Sequence, residues 1–505
     1  MVFSSLEFIY LFLPPVLLVF YLLRFLQWEN GIVWWLIAAS LAFYAWWSPI
    51  HLILLLFSVT ANFYLHKVLL ERKSRLVLTS GIIGNLGLLL YFKYADFLIG
   101  NVNAIAGSEI PLLGIVLPLA ISFFTFQQIS FLFDTYRGEI EQCNFSKYCL
   151  FVVFFPQLIA GPIVLQKHTI PQFTLKTFTQ RVGLNFATGA TLFVIGLFKK
   201  IVIADGIAPY STSVFTLAEQ GQALPIDVAW MGTIAYTFQI YFDFSGYCDM
   251  ALGLARMFGI KLPLNFNSPY KAQNIVDFWR RWHITLSVFL RNYLYIPLGG
   301  NRKGPVRRYV NLTITMLLGG LWHGASWNFV FWGLLHGIYL SINHAWSAIG
   351  FHKNLEVFFH PLVIKVFYHA LTLLGVMVAW IFFRAESFTG AETMLLSMFG
   401  QAGYIYPDII KDLALDHEFF WFISCVIGFI IFFCPNSVEI TRRYQPTIDY
   451  KSLLDKTHQL KARFIKAYAW RPSTNWSCAM LGVGVISLLQ IYRLDELTEF
   501  IYFNF

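Results

Sequence analysis

Charge is scarce in this chain: 36 Lys and Arg and 27 Asp and Glu make up only 12% of 505 residues. A soluble domain carries about a quarter charged residues, so a wholly water-facing exterior is excluded. Cysteine is sparse too. Of the six (Cys143, Cys149, Cys248, Cys425, Cys434 and Cys478), none forms a CxxC pair and most lie in apolar stretches. They read as small hydrophobes, with neither a disulfide framework nor a metal site implied. No Pro/Ser-rich linker or low-complexity tract divides the chain, which reads as one membrane-embedded domain over residues 1–505. HExxH, GxSxG, Walker and strand-borne dinucleotide motifs are missing. The opening MVFSSLEFIY lacks a basic n-region and an A-x-A-like cleavage site, so residues 8–26 are expected to form a retained helix, not a signal peptide.

Apolar sequence is abundant. Hydrophobic residues make up 57% of the chain, with 52 Phe, 25 Tyr and 16 Trp, and the mean hydropathy is +0.61. Runs long enough to span or nearly span a bilayer fall at residues 8–26, 31–47, 51–70, 76–94, 112–133, 183–204, 229–246, 329–346, 362–383, 419–433 and 478–491. A bilayer leaves unpaired backbone groups unsatisfied, so these must be helices. The expected fold class is an all-α polytopic membrane protein of about eleven spans, with re-entrant and amphipathic helices added.

The net charge of +9 would raise nucleic-acid binding in a soluble protein. Here the basic residues gather in particular loops, the pattern of cytoplasmic retention, and nucleic acid is not an expected partner. Lys67, Arg72, Lys73 and Arg75 mark one cytoplasmic loop, and residues 256–308 and 442–471 are heavily basic. Counting spans from these puts the N-terminus outside, together with the acidic tail carrying Asp495, Glu496 and Glu499. The stretch 205–227 lacks basic residues and is expected to be an external loop.

Two places break the count. FFPQLIAGPIV (residues 154–164) holds Pro156, Gly161 and Pro162, which interrupt a helix, and reads as re-entrant. The second lies before Trp322, where only the apolar stretch 310–321 precedes a break at WHGASW. At 1.5 Å per residue it reaches roughly 18 Å, short of the approximately 30 Å hydrocarbon core. Irregular backbone at depth is tolerated only inside protein or against a cavity, so something deep and polar is expected at His323.

His323 lies between Gly320 and Gly324 and beside Trp322 and Trp327. Burial would keep its imidazole neutral and able to take a proton. His283, in DFWRRWHITLSVFL, would share one face with Trp279, Leu286, Leu290 and Tyr293 if that stretch is one amphipathic helix, with Asp277 in i,i+4 reach of Arg281. Asp243 and Asp249 flank Ser245-Gly246 near a membrane boundary, where a carboxylate at depth is a functional candidate; capping or pairing with the nearby basic segment is the competing reading. The loop GGNRKG offers backbone N–H groups, Arg302 and Lys303 to phosphates, although a solvated positive-inside loop explains it as well. His336, His344, His352 and His360 recur every eight residues, which is no ligand spacing for one site, and read as unrelated.

Three stretches, FQIYFDFSGYCDMALGLARMFGI, LPLNFNSPYKAQNIVDFWRRWHITLSVFLRNYLYIPLGGNRKG and LGGLWHGASWNFVFWGLLHG, together resemble the membrane-bound O-acyltransferases. Within that family they are similar to the branch of the bacterial alginate O-acetylation and teichoic acid D-alanyl transfer proteins. MVFSSLEFIYLFLPPVLLVFYLL and AWIFFRAES also fit that branch, and the resemblance is densest over residues 238–337.

The resemblance implies a funnel of helices in a bacterial inner membrane, narrowing at a catalytic His323, with His283 as the second histidine. It implies acetyl-CoA as a cytoplasmic donor and a periplasmic acetyltransferase of the SGNH, serine-hydrolase-like type as recipient, acting on an exported polysaccharide. Acyl-transfer chemistry then needs a general base, for which His323 is the candidate. It also needs donors to an oxyanion, for which the glycine-flanked turn, His283 or Asn328 are candidates. Trp322 would supply an apolar wall, and Arg280, Arg281, Arg302 and Lys303 would attract the donor's phosphates. Transfer of D-alanine, a transporter or channel with pore-lining histidines, and a non-catalytic scaffold are the competing functions.

Overall fold

Apolar segments with no water for their amides must satisfy them internally, and the computed structural model is helical throughout, with no strand among the described residues. It describes residues 1–350, 359–401, 416–449, 469–493 and 500–501. Most of the second basic segment, His352 and the acidic residues of the C-terminal tail lie outside these.

Among the described residues, six helices are long and apolar enough to cross a membrane: Glu7–Phe25, Pro49–Glu71, Arg75–Ala106, Val182–Glu219, Pro361–Arg384 and Thr474–Arg493. A seventh, His417–Phe433, qualifies when taken with the short helical stretch after it. Each matches one of the eleven expected runs. Three more runs are helices of sufficient length, Glu29–Trp47, Ile226–Met257 and Trp327–Ile349, but they are not apolar enough to count by composition. The last two carry the polar residues described below, and a helix shielded by protein needs less apolar surface than one facing lipid.

The run at 112–133 is not one helix. Its first part is extended, and a helix starts only at Ile121 (Ile121–Arg137). Pro111 and Pro118 disfavour helix there, and the Asp96 carboxylate accepts the N–H groups of Leu113 and Gly114 at 2.7 and 3.0 Å. The stretch expected as an external loop at 205–227 is largely helical as well, over Asp205–Glu219.

The chain forms two compact units, each discontinuous in sequence: Met1–Phe198 with Gly246–Leu264 and Ser437–Asn504, and Lys199–Ser245 with Asn265–Asn436 and Phe505. In the first, polar side chains tie apolar helices together. Asn62 and Asn85 exchange amide hydrogen bonds at 3.1 and 2.7 Å, and His66 meets Thr135 at 2.8 Å. The FFPQLIAGPIV stretch lies here, broken at Phe154 and buried over its length.

In the second unit the helices Gly304–His323 and Trp327–Ile349 form a tight hairpin around the three-residue break Gly324–Ala325–Ser326. Glycine makes the approach possible. A Cβ at Gly320 would fall on the carbonyl oxygen of Phe329, and one at Gly333 on that of Met316. The first helix starts earlier and ends later than the apolar run 310–321 suggests. Its first turns carry Arg307 and Arg308, and it continues through Trp322 to His323, so its 20 residues extend about 30 Å.

Candidate active site

His323 is the last residue of its helix and only 3% exposed. Trp322, Trp332 and Phe383 surround it, with ring centroids 5.0, 5.1 and 5.2 Å from the imidazole. His283 is the fourth neighbour at 6.4 Å and is fully buried. The structure therefore brings together the two histidines and Trp322 singled out in the sequence. Ser326 caps the next helix by accepting the Asn328 N–H at 3.1 Å, while the Asn328 amide donates to the Ala385 carbonyl at 2.7 Å. The turn after His323 is thus held at both sides.

His283 does not lie within an amphipathic helix. The helix Ile275–Trp279 ends, His283 takes a left-handed conformation (φ 41°), and a new helix, Ile284–Leu290, begins. The break turns His283 away from the face expected for continuous helix, toward Asn265. Asn265 Oδ1 accepts the Thr285 backbone N–H at 3.2 Å and the Thr285 hydroxyl at 2.9 Å. It is therefore an acceptor for His283 Nδ1 at 3.2 Å. The tautomer follows: the proton sits on Nδ1, and Nε2 carries the lone pair. His283 lies outside the spanning helices, and burial pushes its pKa down to about 3, so the ring is neutral at physiological pH. Phe244 packs edge-on against it at 4.8 Å.

The remaining candidates divide. Asp243 meets a cation outside the neighbouring basic segment, Lys200. It lies 2.7 Å from Lys200, whose ammonium also meets Asp205 at 2.8 Å, and all three are buried. Asp249 belongs to the other unit, where it accepts the Ser437 hydroxyl at 2.7 Å. Arg281 holds Asp277 at 3.0 Å, as the spacing predicts, and also donates to the Asn267 carbonyl. Arg280, Arg302 and Lys303 are exposed.

Sequence reasoning missed three parts of this arrangement. One is His336, which packs at 4.7 Å against Trp332 and accepts the Trp279 indole N–H on Nδ1 at 3.3 Å. The other described histidines of the eight-residue series are unrelated to it, as expected: His344 takes Arg308 at 2.6 Å, and His360 caps a helix through the Leu362 N–H. The usable signal was the spacing of Trp332 and His336, four apart and so on one helix face. The others are Lys200, whose partner Asp205 is five residues on but whose second partner Asp243 is 43 away, and Asn265, 18 residues from His283.

The pattern of the membrane-bound O-acyltransferase family matches residues 135–382. A Helicobacter pylori protein named "Peptidoglycan O-acetyltransferase" is 39% identical, across 100% of this chain and 98% of its own length. An Azotobacter vinelandii protein named "Probable alginate O-acetylase AlgI" is 41% identical over 81% of this chain and 80% of its own. The Bacillus subtilis "Teichoic acid D-alanyltransferase" is 27% identical over 44% of the chain and 58% of its own length. With two buried imidazoles in an aromatic cup and relatives aligned over most of its length, the chain belongs to the membrane-bound O-acyltransferase family.

Proposed function

We propose that this multi-pass membrane enzyme takes an acetyl group from acetyl-CoA on the cytoplasmic side and passes it across the bilayer. The destination is O-acetylation of an exported or cell-wall polysaccharide, by way of a periplasmic SGNH-type acetyltransferase. Relatives named for peptidoglycan and alginate O-acetylation support the acetyl group and the polymer class. One observation carries the mechanism: His323 and His283 are buried together with ring centroids 6.4 Å apart.

His323 is the general base, taking the proton of the incoming hydroxyl as it attacks the acyl carbonyl. His283, neutral and held by Asn265, keeps a second uncharged imidazole beside it. The aromatic walls keep water from the acyl group, which limits hydrolysis. Exposed Arg280, Arg302 and Lys303 draw the donor's phosphates to the cytoplasmic face, while Arg281 anchors its loop through Asp277. The basic loops of the sequence favour a periplasmic side for both termini.

The test is acetyl transfer from acetyl-CoA by the purified protein in proteoliposomes supplied with the SGNH-type acetyltransferase as hydroxyl acceptor. His323→Ala that stays folded is expected to lose about 10²–10⁴-fold in rate; full acetyl transfer by that variant would remove the assignment. A transporter would show no thioester turnover, and a D-alanyl enzyme would leave acetyl-CoA untouched.

A further inference from the structure

Acyl transfer places negative charge on the acyl carbonyl oxygen, and that charge needs N–H or O–H donors not already committed. Two side chains suggested by sequence are engaged elsewhere. His283 gives its only N–H to Asn265, so its other ring nitrogen offers a lone pair, which repels an oxyanion. The Asn328 amide donates to the Ala385 carbonyl.

Trp332 differs. Its ring is 1% exposed and lies edge-to-face with His323 at 5.1 Å, and its indole Nε1 is buried without a hydrogen-bond partner among the described residues. His336 sits one turn further along the same helix face. Because His336 Nδ1 accepts from Trp279, its proton resides on Nε2, which is likewise buried and without a partner. Trp279, Trp380 and Phe383 wall the pair, at 5.8, 6.1 and 5.2 Å from Trp332. A buried donor left unsatisfied costs about 1–3 kcal/mol, and native proteins keep few of them. Two on adjacent turns, the first packed against a candidate base, mark a place where an acceptor arrives.

We propose that the Trp332 indole N–H, with the His336 Nε2–H beside it, donates to the acyl carbonyl oxygen in the transition state. This rests on His323 as base. The acceptor hydroxyl oxygen bonds to the carbonyl carbon of an acyl thioester, and its proton goes to His323. The carbonyl π pair moves onto oxygen, where Trp332 holds it. The C=O bond then re-forms, the C–S bond breaks, and the departing thiolate takes the proton from His323. One ester and one thiol result, with no other co-reactant.

The experiment compares Trp332→Phe with wild type and His323→Ala in proteoliposomes supplied with an SGNH-type acetyltransferase as hydroxyl acceptor, following release of the CoA thiol from acetyl-CoA and thermal unfolding. Phenylalanine keeps an aromatic wall and removes the N–H. The expected result is a kcat about 10²–10³-fold lower, an unchanged KM and an unfolding midpoint no lower than wild type, because a buried orphan donor has gone. A fall in midpoint matching the fall in kcat would assign Trp332 to packing and overturn the proposal. So would full turnover by Trp332→Phe beside an inactive His323→Ala, which leaves the base reading standing. Turnover by His323→Ala would instead sink the base reading, and this proposal with it. If Trp332→Phe does not fold, benzothienylalanine at position 332 preserves the shape without the N–H. The same kcat loss is expected, and wild-type kcat would overturn the proposal.

Discussion

Lys200 Nζ stands 2.7 Å from Asp243 and 2.8 Å from Asp205, with no more than 5% of any of the three residues exposed. Lys200 and Asp205 belong to a helix of membrane-spanning character, Val182–Glu219, and Asp243 precedes Phe244, which packs on His283. Removing one member of a buried ion pair is costly because the other charges lose their compensation, by about 3–5 kcal/mol. Lys200→Met strips the shared cation from both carboxylates and is expected to incur that full loss. Asp243→Asn leaves Lys200 with Asp205 and is expected to cost clearly less. Thermal unfolding in detergent measures both, and equal losses would show that Asp205 does not share the charge.

The hairpin that carries His323 depends on two backbones touching. Gly320→Ala would drive a methyl into the Phe329 carbonyl, and backbone cannot move aside without separating the helices. The expected result is lowered stability by about 1–3 kcal/mol together with loss of acyl transfer, because His323 lies three residues on. Gly319→Ala is the matched control. Its Cβ would meet only Leu290 Cδ1 at 3.2 Å, a flexible side-chain end, and near-wild-type turnover is expected. Equal inactivation of the two variants would separate activity from this contact.

What could be read in the sequence was local. The helices, the motif around His323 and the Asp277–Arg281 pair announce themselves within a few residues. The extended stretch before Ile121 could not be told from a span by hydropathy, since its residues are apolar; Pro111 and Pro118 were the local signal against helix, and Asp96, 17 residues from Leu113, holds the backbone. The left-handed His283 was likewise hidden, because the break is stabilised by Asn265 in a distant segment. The eight-residue recurrence of His336, His344, His352 and His360 fits no single site and hides the role of His336. Its real relationship is with two tryptophans, one on its own helix and one from a segment 57 residues earlier.

The Asn265–His283 contact also predicts a pH dependence with a definite sign. Folded His283 binds its proton only near about pH 3, whereas in an unfolded chain histidine titrates near about 6.5. Between those values the unfolded chain holds more protons than the folded one, so stability rises with pH across that window. Lowering the pH from about 6.5 toward 3 is thus expected to depress the unfolding midpoint of wild type, and this group adds no slope above about 6.5. His283→Gln retains an amide donor for Asn265 but cannot titrate, and its midpoint is expected to fall less steeply over the same range. Superposable curves for the two proteins would mean that the imidazole charges inside the fold, and a ring that charges there could not remain the neutral neighbour that His323 needs when it takes a proton from the attacking hydroxyl.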